Sequence, residues 1–386
     1  MVVSGQALFP PSKEAMAAAR IEKVKDNLYV ITGSDAGADA EALFTGGNTA
    51  VFITDAGVTL VDTKMPGFGP TILARIKTVT DKPVTRIINT HTHGDHTGSN
   101  GFFGASVESI VHENARTSMM KMAEFSGANA QFLPKRTYKD KLTLGSGKDQ
   151  IDLYHFGLGH TNGDTFVVFT ALRTMHAGDM FPVKALPYVD TTNGGTVVEH
   201  PDSLATAAAL PNVDTIIGGH IPVGTVNDLK EYVNFLKDFV NFARSSMKAG
   251  KTVEQAAKEY AVDPKYKGYA ASVNPRYGTA QKNLQIAYDE LRRKEGGGTS
   301  GKPISWSKGH RTNEICPQLT ELRTACTKVA TKGLTWHAAD GAHMNWSNSD
   351  SLYTLTKSAG NFNFRTCPAQ WASSVTKSAH PTDAMA

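Results

Sequence analysis

The sequence predicts an α/β fold in which two mixed β-sheets pack together and helices cover their outer faces. Two observations lead to it. Short apolar, β-branched runs alternate with helical segments along the first three-quarters of the chain, as in layered α/β domains. Several of these runs end in one or two glycines followed by His or Asp, and glycine lets the next side chain turn back over the strand end.

The first strands are predicted at residues 28–31, 49–54 and 58–61. The last two are separated by Asp55-Ala56-Gly57, a hairpin-like turn. A helix is predicted over 67–80, where apolar residues recur at helical spacing before Lys82-Pro83 ends it. The chain therefore begins with antiparallel strands and then changes to alternating helices and strands.

Later elements continue this alternation. Strands are predicted at 84–89, 109–112, 151–158, 165–169, 174–177 and 213–217, and helices at 113–125, 229–249, 253–260 and 280–293. The helix at 113–125 contains Met119, Met120 and Met122, which indicate core filler or a pocket wall. A line of Phe235, Phe239 and Phe242 favours a helix buried on two sides, with a dimer face or a wall over the site as the alternative.

Composition excludes some classes of protein. The 386 residues are 40% hydrophobic and 20% charged, which is typical of a soluble globular protein. The net charge of +4 gives no support for a nucleic-acid or membrane surface, and no apolar run is long enough to span a bilayer. A small-molecule substrate is therefore expected, and a homodimer stays an open alternative. Because residues 1–20 lack a signal-peptide pattern, the default expectation is a cytoplasmic protein, unless the amino terminus has been trimmed.

Four segments are predicted from changes in composition. Residues 1–20 are an amino-terminal extension, 21–295 form the main domain with a helical part at 226–295, and 296–301 are a Gly-rich linker. The tail at 302–386 contains all four tryptophans and all three cysteines, and it has no clear periodicity. Its role is unassigned, and whether Cys316 and Cys326 pair is left open.

One loop contains most of the candidate chemistry. The stretch His91-Thr92-His93-Gly94-Asp95-His96 follows the strand at 84–89, so three imidazoles and a carboxylate can converge on one point. Histidine is the commonest metal ligand, and Asp adds a negatively charged oxygen donor. The pattern therefore predicts a metal site at the end of this strand.

Three further strand ends repeat the pattern. His160 lies in Gly159-His160-Thr161, Asp179 follows Gly178, and His220 follows Gly219. Asp164 is predicted to orient His160 or its loop, with a simple turn residue as the alternative. Four strand ends would thus deliver ligands to one sheet edge.

With these four motifs, in this order and rough spacing across residues 21–295, the chain resembles the metallo-β-lactamase-fold hydrolases, which include glyoxalase II, lactonases and β-lactamases. The resemblance implies an αββα sandwich and two metal ions, expected to be Zn²⁺ with iron or manganese as alternatives. It implies that His91, His93 and His160 hold the first ion. It further implies that Asp95, His96 and His220 hold the second, while Asp179 bridges both.

The resemblance also implies a reaction. A hydroxide held between the two metals attacks the carbonyl of a lactone, ester, thioester or β-lactam, and Asp95 transfers a proton or steers the hydroxide. True β-lactamases of this fold typically have Cys or Ser where Asp179 stands. The aspartate is more similar to glyoxalase II and the lactonases.

Substrate contacts are predicted on one loop. Lys184 is a candidate for binding a substrate carboxylate, with a surface lysine as the alternative, and Tyr188 and Asn193 are candidate oxyanion donors. The Gly- and Ala-rich loop at 33–45 is a candidate flap.

Three alternatives compete with a zinc hydrolase. Iron-dependent oxidoreductases similar to persulfide dioxygenases share the fold, but diiron relatives carry Glu at the position of His93. Nucleases share the first motif but need a basic surface or a clamping domain. Metal-free binding proteins usually lose ligands, whereas all seven candidates are present here.

Overall fold

A computed structural model describes residues 11–33, 43–272, 278–295, 344–348, 351–358 and 361–367. The chain divides into two compact units, residues 1–297 and 298–386, which are described separately below. The predicted linker at 296–301 lies outside the described residues, as does most of the predicted flap. Within the described part, no helix combines the length and the apolar character needed to cross a membrane.

The first sheet has seven strands that follow one another in chain order. They are β1 (Ile21–Lys25), β2 (Leu28–Ile31), β3 (Thr49–Thr54), β4 (Gly57–Val61), β5 (Val84–Ile88), β6 (Glu108–His112) and β7 (Arg136–Tyr138). Strands β1 to β4 are antiparallel, and β4 to β7 are parallel. Thr54 pairs with Gly57, so the predicted hairpin turn is confirmed, with Asp55 and Ala56 as its two loop residues.

The second sheet has six strands in the order β13-β12-β11-β10-β9-β8. They are β8 (Lys141–Leu144), β9 (Ile151–Tyr154), β10 (Phe166–Phe169), β11 (Thr174–Gly178), β12 (Thr215–Gly218) and β13 (Gly224–Thr225). Strands β11 and β12 run parallel, and Gly178 pairs with Gly218. The residues that follow these two glycines are therefore neighbours at the same edge of the sheet.

The two sheets face each other across an apolar core. Phe52 and Ile88 of the first sheet belong to the same buried cluster as Leu153 and Phe169 of the second. The rings of Phe52 and Phe169 lie 5.0 Å apart, in a tilted arrangement. This core is formed by the inward-facing half of each alternating strand pattern.

Helices cover both outer faces. They are α1 (Lys13–Ala18), α2 (Gly69–Ile76), α3 (Gly94–Thr97), α4 (Glu113–Met119), α5 (His200–Ala208), α6 (Val226–Lys248), α7 (Val253–Glu259) and α8 (Ala280–Glu295). Helix α2 buries Ile72 and Ile76 against the outer face of the first sheet. Helices α5, α6 and α8 pack in one cluster with Phe166 and Ile216 of the second sheet. The predicted αββα sandwich with carboxy-terminal helices is confirmed.

Helix α6 is buried on two sides, as its pattern favoured. Phe235 and Phe239 are each 1% exposed and pack against tyrosines that follow the helix, while Phe242 lies against Tyr260. The helix begins at a capping box formed by Thr225 and Asp228.

Other predicted helix bounds need correction. The helix predicted at 67–80 is the shorter α2, and the one predicted at 113–125 ends at Met119 and continues as 3₁₀ turns. Helix α5 was not predicted because its Ala-rich sequence has little contrast between its two faces.

In the second unit the described backbone forms one antiparallel sheet. Its strands are β14 (Met344–Asn348), β15 (Ser351–Ser358) and β16 (Asn361–Cys367). Cys316 and Cys326 lie outside the described residues.

Candidate metal centre

Segments that follow four strands, from both sheets, meet at one edge of the sandwich. The loop after β5 and helix α3 supply the first four candidate ligands, and Asp179 and His220 follow the ends of β11 and β12. The strand predicted at 151–158 ends at Tyr154, so His160 lies within the loop between β9 and β10. The structure brings the seven residues together in three overlapping groups, in each of which the potential ligand atoms lie within 4.8 Å of one another. The groups are His91, His93 and His160; His91, His96 and Asp179; and Asp95, His96 and His220.

The first group is made only of imidazoles. His93 Nδ1 lies 3.1 Å from His91 Nε2 and 2.9 Å from His160 Nε2. Three nitrogen atoms thus point at one common centre, which matches the three-histidine half of the predicted site.

The other ligand candidates surround Asp179. Its Oδ1 lies 3.2 Å from His96 Nε2 and 3.3 Å from His220 Nε2, and its Oδ2 lies 3.7 Å from His160 Nε2. Asp95 Oδ2 lies 3.4 Å from His220 Nε2. Asp179 is therefore placed between the imidazole group and the group that contains Asp95.

The outer nitrogens of four histidines are held by the surrounding protein. His91 Nδ1 lies 3.0 Å from Thr90 Oγ1, and His160 Nδ1 lies 2.8 Å from the Tyr188 carbonyl oxygen. His96 Nδ1 and His93 Nε2 each face a carboxylate, as described below. Fixing the outer nitrogen sets the ring orientation and leaves the inner nitrogen free to bind a metal.

The donor set fits metal ions. Asp179 Oδ1 is buried and makes no well-aligned hydrogen bond, although His96 Nε2 and His220 Nε2 lie 3.2 and 3.3 Å away, and buried polar atoms are rarely left in that state. Imidazole nitrogens and carboxylate oxygens are the ligands that zinc takes in catalytic sites. Metal ions would relieve the crowding of inward-facing nitrogens and oxygens.

The electrostatics differ across the centre. Burial, together with the neighbouring His93, lowers the pKa of His160 to about 3, so this ring is neutral. Burial opposes charge on His220 as well, but Asp179 and Asp95 raise its pKa to about 9. Burial also opposes charge on His96, but Asp179, Asp95 and Asp62 raise its pKa above the usual value. The carboxylate side of the centre therefore attracts positive charge, and the imidazole side offers neutral donors.

Two glycines allow the close packing of this centre. A Cβ on Gly219 would lie 1.9 Å from Asp179 Oδ1, and a Cβ on Gly47 would lie 2.2 Å from His96 Cε1. Any side chain at either position would displace a candidate ligand.

Two carboxylates that contact the ligands were missed by the sequence prediction. Asp62, at the end of β4, lies 2.7 Å from His96 Nδ1, and Asp190 Oδ2 lies 2.8 Å from His93 Nε2. Although burial disfavours its charge, His93 and Asn193 hold the pKa of Asp190 well below its usual range. Asp62 follows a strand as the ligands do, and that signal could have identified it; Asp190 has no comparable signal.

Asp164 is fully buried beside the His160 loop. Its carboxylate accepts hydrogen bonds from Thr161 N at 2.8 Å and from Thr161 Oγ1 at 2.7 Å. Burial raises the pKa of Asp164 to about 7 in spite of these bonds. These contacts fit both the predicted role in orienting the loop and the alternative of a turn residue.

The predicted substrate residues are placed differently. The Tyr188 ring lies 5.8 Å from the His93 ring and is 42% exposed. Asn193 Nδ2 donates to Asp190 Oδ2 at 2.7 Å, so its amide contacts the carboxylate that holds His93. Lys184 Nζ lies 3.0 Å from Asp228 Oδ1, so its ammonium already has a carboxylate partner.

Comparison with known proteins shows what the chain is similar to. A family model described as the metallo-beta-lactamase superfamily matches residues 43–220, which contain all seven candidate ligands. The metallo-beta-lactamase type 2 of Elizabethkingia meningoseptica is 26% identical over 211 residues, covering 52% of this chain and 78% of that protein. The crystal structure of the DIM-1 metallo-beta-lactamase matches at 19% identity and a TM-score of 0.46, covering 57% of this chain and 97% of that one. A metallo-beta-lactamase from Pontibacter korlensis matches at 18% identity and a TM-score of 0.48, covering 56% and 98%.

Proposed function

Over residues 43–220 the chain belongs to the metallo-beta-lactamase superfamily of metal-dependent hydrolases, and from that premise we propose that it is a dinuclear zinc hydrolase. Its substrate would be a small molecule with a reactive carbonyl: a lactone, an ester, a thioester or a β-lactam. One observation carries the proposal. Seven nitrogen- and oxygen-bearing side chains from segments after four strands converge, with Asp179 between two groups of histidines.

The residues divide into two sets of ligands. His91, His93 and His160 would hold one ion, and Asp95, His96 and His220 the other, with Asp179 shared. When bound, zinc supplies a water molecule whose pKa is lowered to about 7 and a Lewis acid for the carbonyl oxygen of the substrate.

The remaining chemistry belongs to the protein. Asp62 and Asp190 fix the rotation of His96 and His93 through short contacts of 2.7 and 2.8 Å. The Asp95 side chain is 22% exposed, more than that of Asp179, and so is open to the substrate side. We assign two roles to the Asp95 carboxylate, which lies beside His220. It orients the attacking water molecule, and it holds the proton that this water gives up.

The substrate class rests on the shared carboxylate. Relatives that hydrolyse β-lactams typically resemble this chain in the first motif but carry Cys or Ser where Asp179 stands. Asp179 therefore favours a lactone, ester or thioester over a β-lactam.

The test is a metal and substrate titration on the full chain. We expect about two zinc ions per chain, loss of turnover with a chelator, and recovery when zinc is returned. The panel contains nitrocefin, an acyl-homoserine lactone, lactoylglutathione and p-nitrophenyl esters. Full turnover by metal-free protein would reject the proposal, and so would zinc-loaded protein that hydrolyses none of these compounds.

A further inference from the structure

We propose that the site selects substrates that carry no negatively charged group beside the reacting ester, thioester or lactone. The selectivity would arise because Asp228 and Glu231 of helix α6 keep the Lys184 ammonium away from an incoming anion. This inference rests on the proposed hydrolase function and narrows its substrate class.

Lys184 lies close to the centre along the backbone. His220 N donates to the Pro182 carbonyl oxygen at 3.0 Å, so the chain two residues before Lys184 is bonded to a candidate ligand residue. A lysine at this place would be the nearest cation on that loop. Its charge would therefore add to that of the metal ions in attracting an anionic substrate.

The ammonium is already neutralised by two carboxylates. Lys184 Nζ lies 3.0 Å from Asp228 Oδ1 and 3.8 Å from Glu231 Oε2, and it also lies over the Tyr269 ring at 5.6 Å. Because two carboxylates lie around one ammonium, these three side chains together carry no net positive charge that would attract an anionic substrate.

The principal partner is held in place by the fold. Asp228 Oδ2 accepts from Thr225 N at 2.9 Å and from Thr225 Oγ1 at 2.7 Å, as part of the capping box of α6. If Lys184 turned toward a bound substrate and Asp228 moved with it, the capping box that begins the 23-residue helix α6 would be broken. The ion pair is therefore anchored on its acidic side.

Within the described residues, no Lys or Arg forms a hydrogen bond or ion pair with any of the seven candidate ligands, with Asp62 or with Asp190. Lys64 is fully buried, and its Nζ donates to the Gly47 carbonyl oxygen at 2.9 Å, so a substrate cannot reach it. Of the two internal segments of the first unit that lie outside the described part, residues 34–42 contain no Lys or Arg in the sequence, whereas residues 273–277 contain Arg276.

The side chains beside the ligands are mostly apolar. The Phe44 ring stacks on the His220 ring at 5.5 Å, and Met122 Sδ accepts a hydrogen bond from Thr92 Oγ1 at 3.3 Å. Tyr188, whose ring lies 5.8 Å from the His93 ring, and Val223, which follows His220 in the same loop, are 42% and 37% exposed. These surfaces favour an uncharged, partly apolar acyl group.

Two matched esters test the proposal on the zinc-loaded full chain. p-Nitrophenyl hexanoate and mono-p-nitrophenyl adipate share a leaving group and acyl length, and differ in a terminal carboxylate. We expect kcat/KM, corrected for the non-enzymatic rates, to be at least about tenfold higher for the hexanoate at low ionic strength. Equal or better turnover of the adipate would overturn the inference while leaving the hydrolase function intact.

A second experiment tests whether the ion pair keeps the Lys184 ammonium from binding the carboxylate of the substrate. The double variant Asp228→Asn/Glu231→Gln should raise kcat/KM for the adipate severalfold and leave the hexanoate unchanged. Adding Lys184→Met should abolish the gain. Glu231→Gln alone keeps the capping box and should give a smaller gain of the same kind, which covers the case in which the double variant folds poorly.

The outcomes separate the two hypotheses. A gain that persists with Lys184→Met, or no gain in either variant, would overturn the role of the ion pair. Zinc-loaded protein that hydrolyses neither ester nor any other compound of the panel would reject the hydrolase function, and the selectivity with it.

Discussion

The carboxylate of Asp62 contacts His96 Nδ1 at 2.7 Å, and both side chains are fully buried. The same carboxylate accepts from Thr90 N at 2.8 Å and from Thr90 Oγ1 at 2.7 Å, and that hydroxyl lies 3.0 Å from His91 Nδ1. One side chain at the end of β4 therefore holds His96 directly and His91 through Thr90, and these two candidate ligands together occur in all three groups.

We predict that Asp62→Asn lowers the zinc affinity of the centre about 10- to 100-fold, since it removes the charge and one acceptor behind His96. Asp62 has a φ of 65°, which Asn tolerates well, so the substitution adds no backbone strain. Competition with a chelator measures the affinity. Asp55→Asn, at a side chain that is 88% exposed, is the matched control. Equal zinc affinity in the two variants would contradict the role of Asp62.

Asp190→Asn tests the imidazole group separately. Asp190 Oδ2 holds His93 Nε2 at 2.8 Å, and Asn193 Nδ2 supports the same oxygen at 2.7 Å. We expect Asp190→Asn to weaken zinc binding about tenfold or more. Asn193→Ala should have a smaller effect in the same direction, because Asn193 acts only through Asp190. A larger effect from Asn193→Ala would mean that the amide has a direct role at the site.

The convergence of the seven candidate ligands could be predicted because each lies in a segment that follows a predicted strand, and three of these segments have a further local signature. A β-branched run, a glycine and then His or Asp can be recognised within six residues, as in Gly218-Gly219-His220. The αββα layers follow from the same strands and from the helical spacing in α6. Local sequence patterns were sufficient to predict an element wherever the residues of that element determine its conformation.

Contacts between distant residues had no such signature. The pairing of Lys184 with Asp228 spans 44 positions, and that of His93 with Asp190 spans 97. Nothing near Lys184 in the sequence reveals that its charge is matched, so it was a candidate for binding a substrate carboxylate. The bounds of α4 were also wrong, because the change to 3₁₀ turns after Met119 depends on the tertiary packing of Phe125.

Removal of the tail is the next prediction. Truncation after Glu295 should leave zinc content and kcat/KM unchanged, because all seven candidate ligands, and the described residues whose contacts with them are given above, lie before that position. The measurements are metal analysis and steady-state kinetics on the truncated and full chains. A large fall in kcat with normal zinc content would show that residues 302–386 contribute to the substrate pocket.

The last prediction concerns Lys64, whose side chain is fully buried and, among the residues that the structure describes, has the Gly47 carbonyl and Thr45 Oγ1 as its hydrogen-bond acceptors. Burial lowers the pKa of Lys64 to about 7, although Asp62 and Asp95 oppose the shift. A lysine in the unfolded chain has a pKa of about 10.4, so between these values the unfolded state binds more protons and stability increases with pH. Its burial therefore costs most at pH 7 and below.

We expect Lys64→Met to stabilise the metal-free protein at pH 7 by on the order of 1–3 kcal/mol, after allowing for the lost bond to Gly47. Both residues are unbranched at Cβ, so the left-handed backbone at φ 60° costs the same in each. The advantage should shrink by up to about 1.4 kcal/mol per pH unit between pH 7 and 10. Urea unfolding at several pH values measures it, with the exposed Lys23→Met as control. An advantage that does not change with pH would mean that Lys64 keeps its proton in the fold, and that its charge is balanced by Asp62 and Asp95.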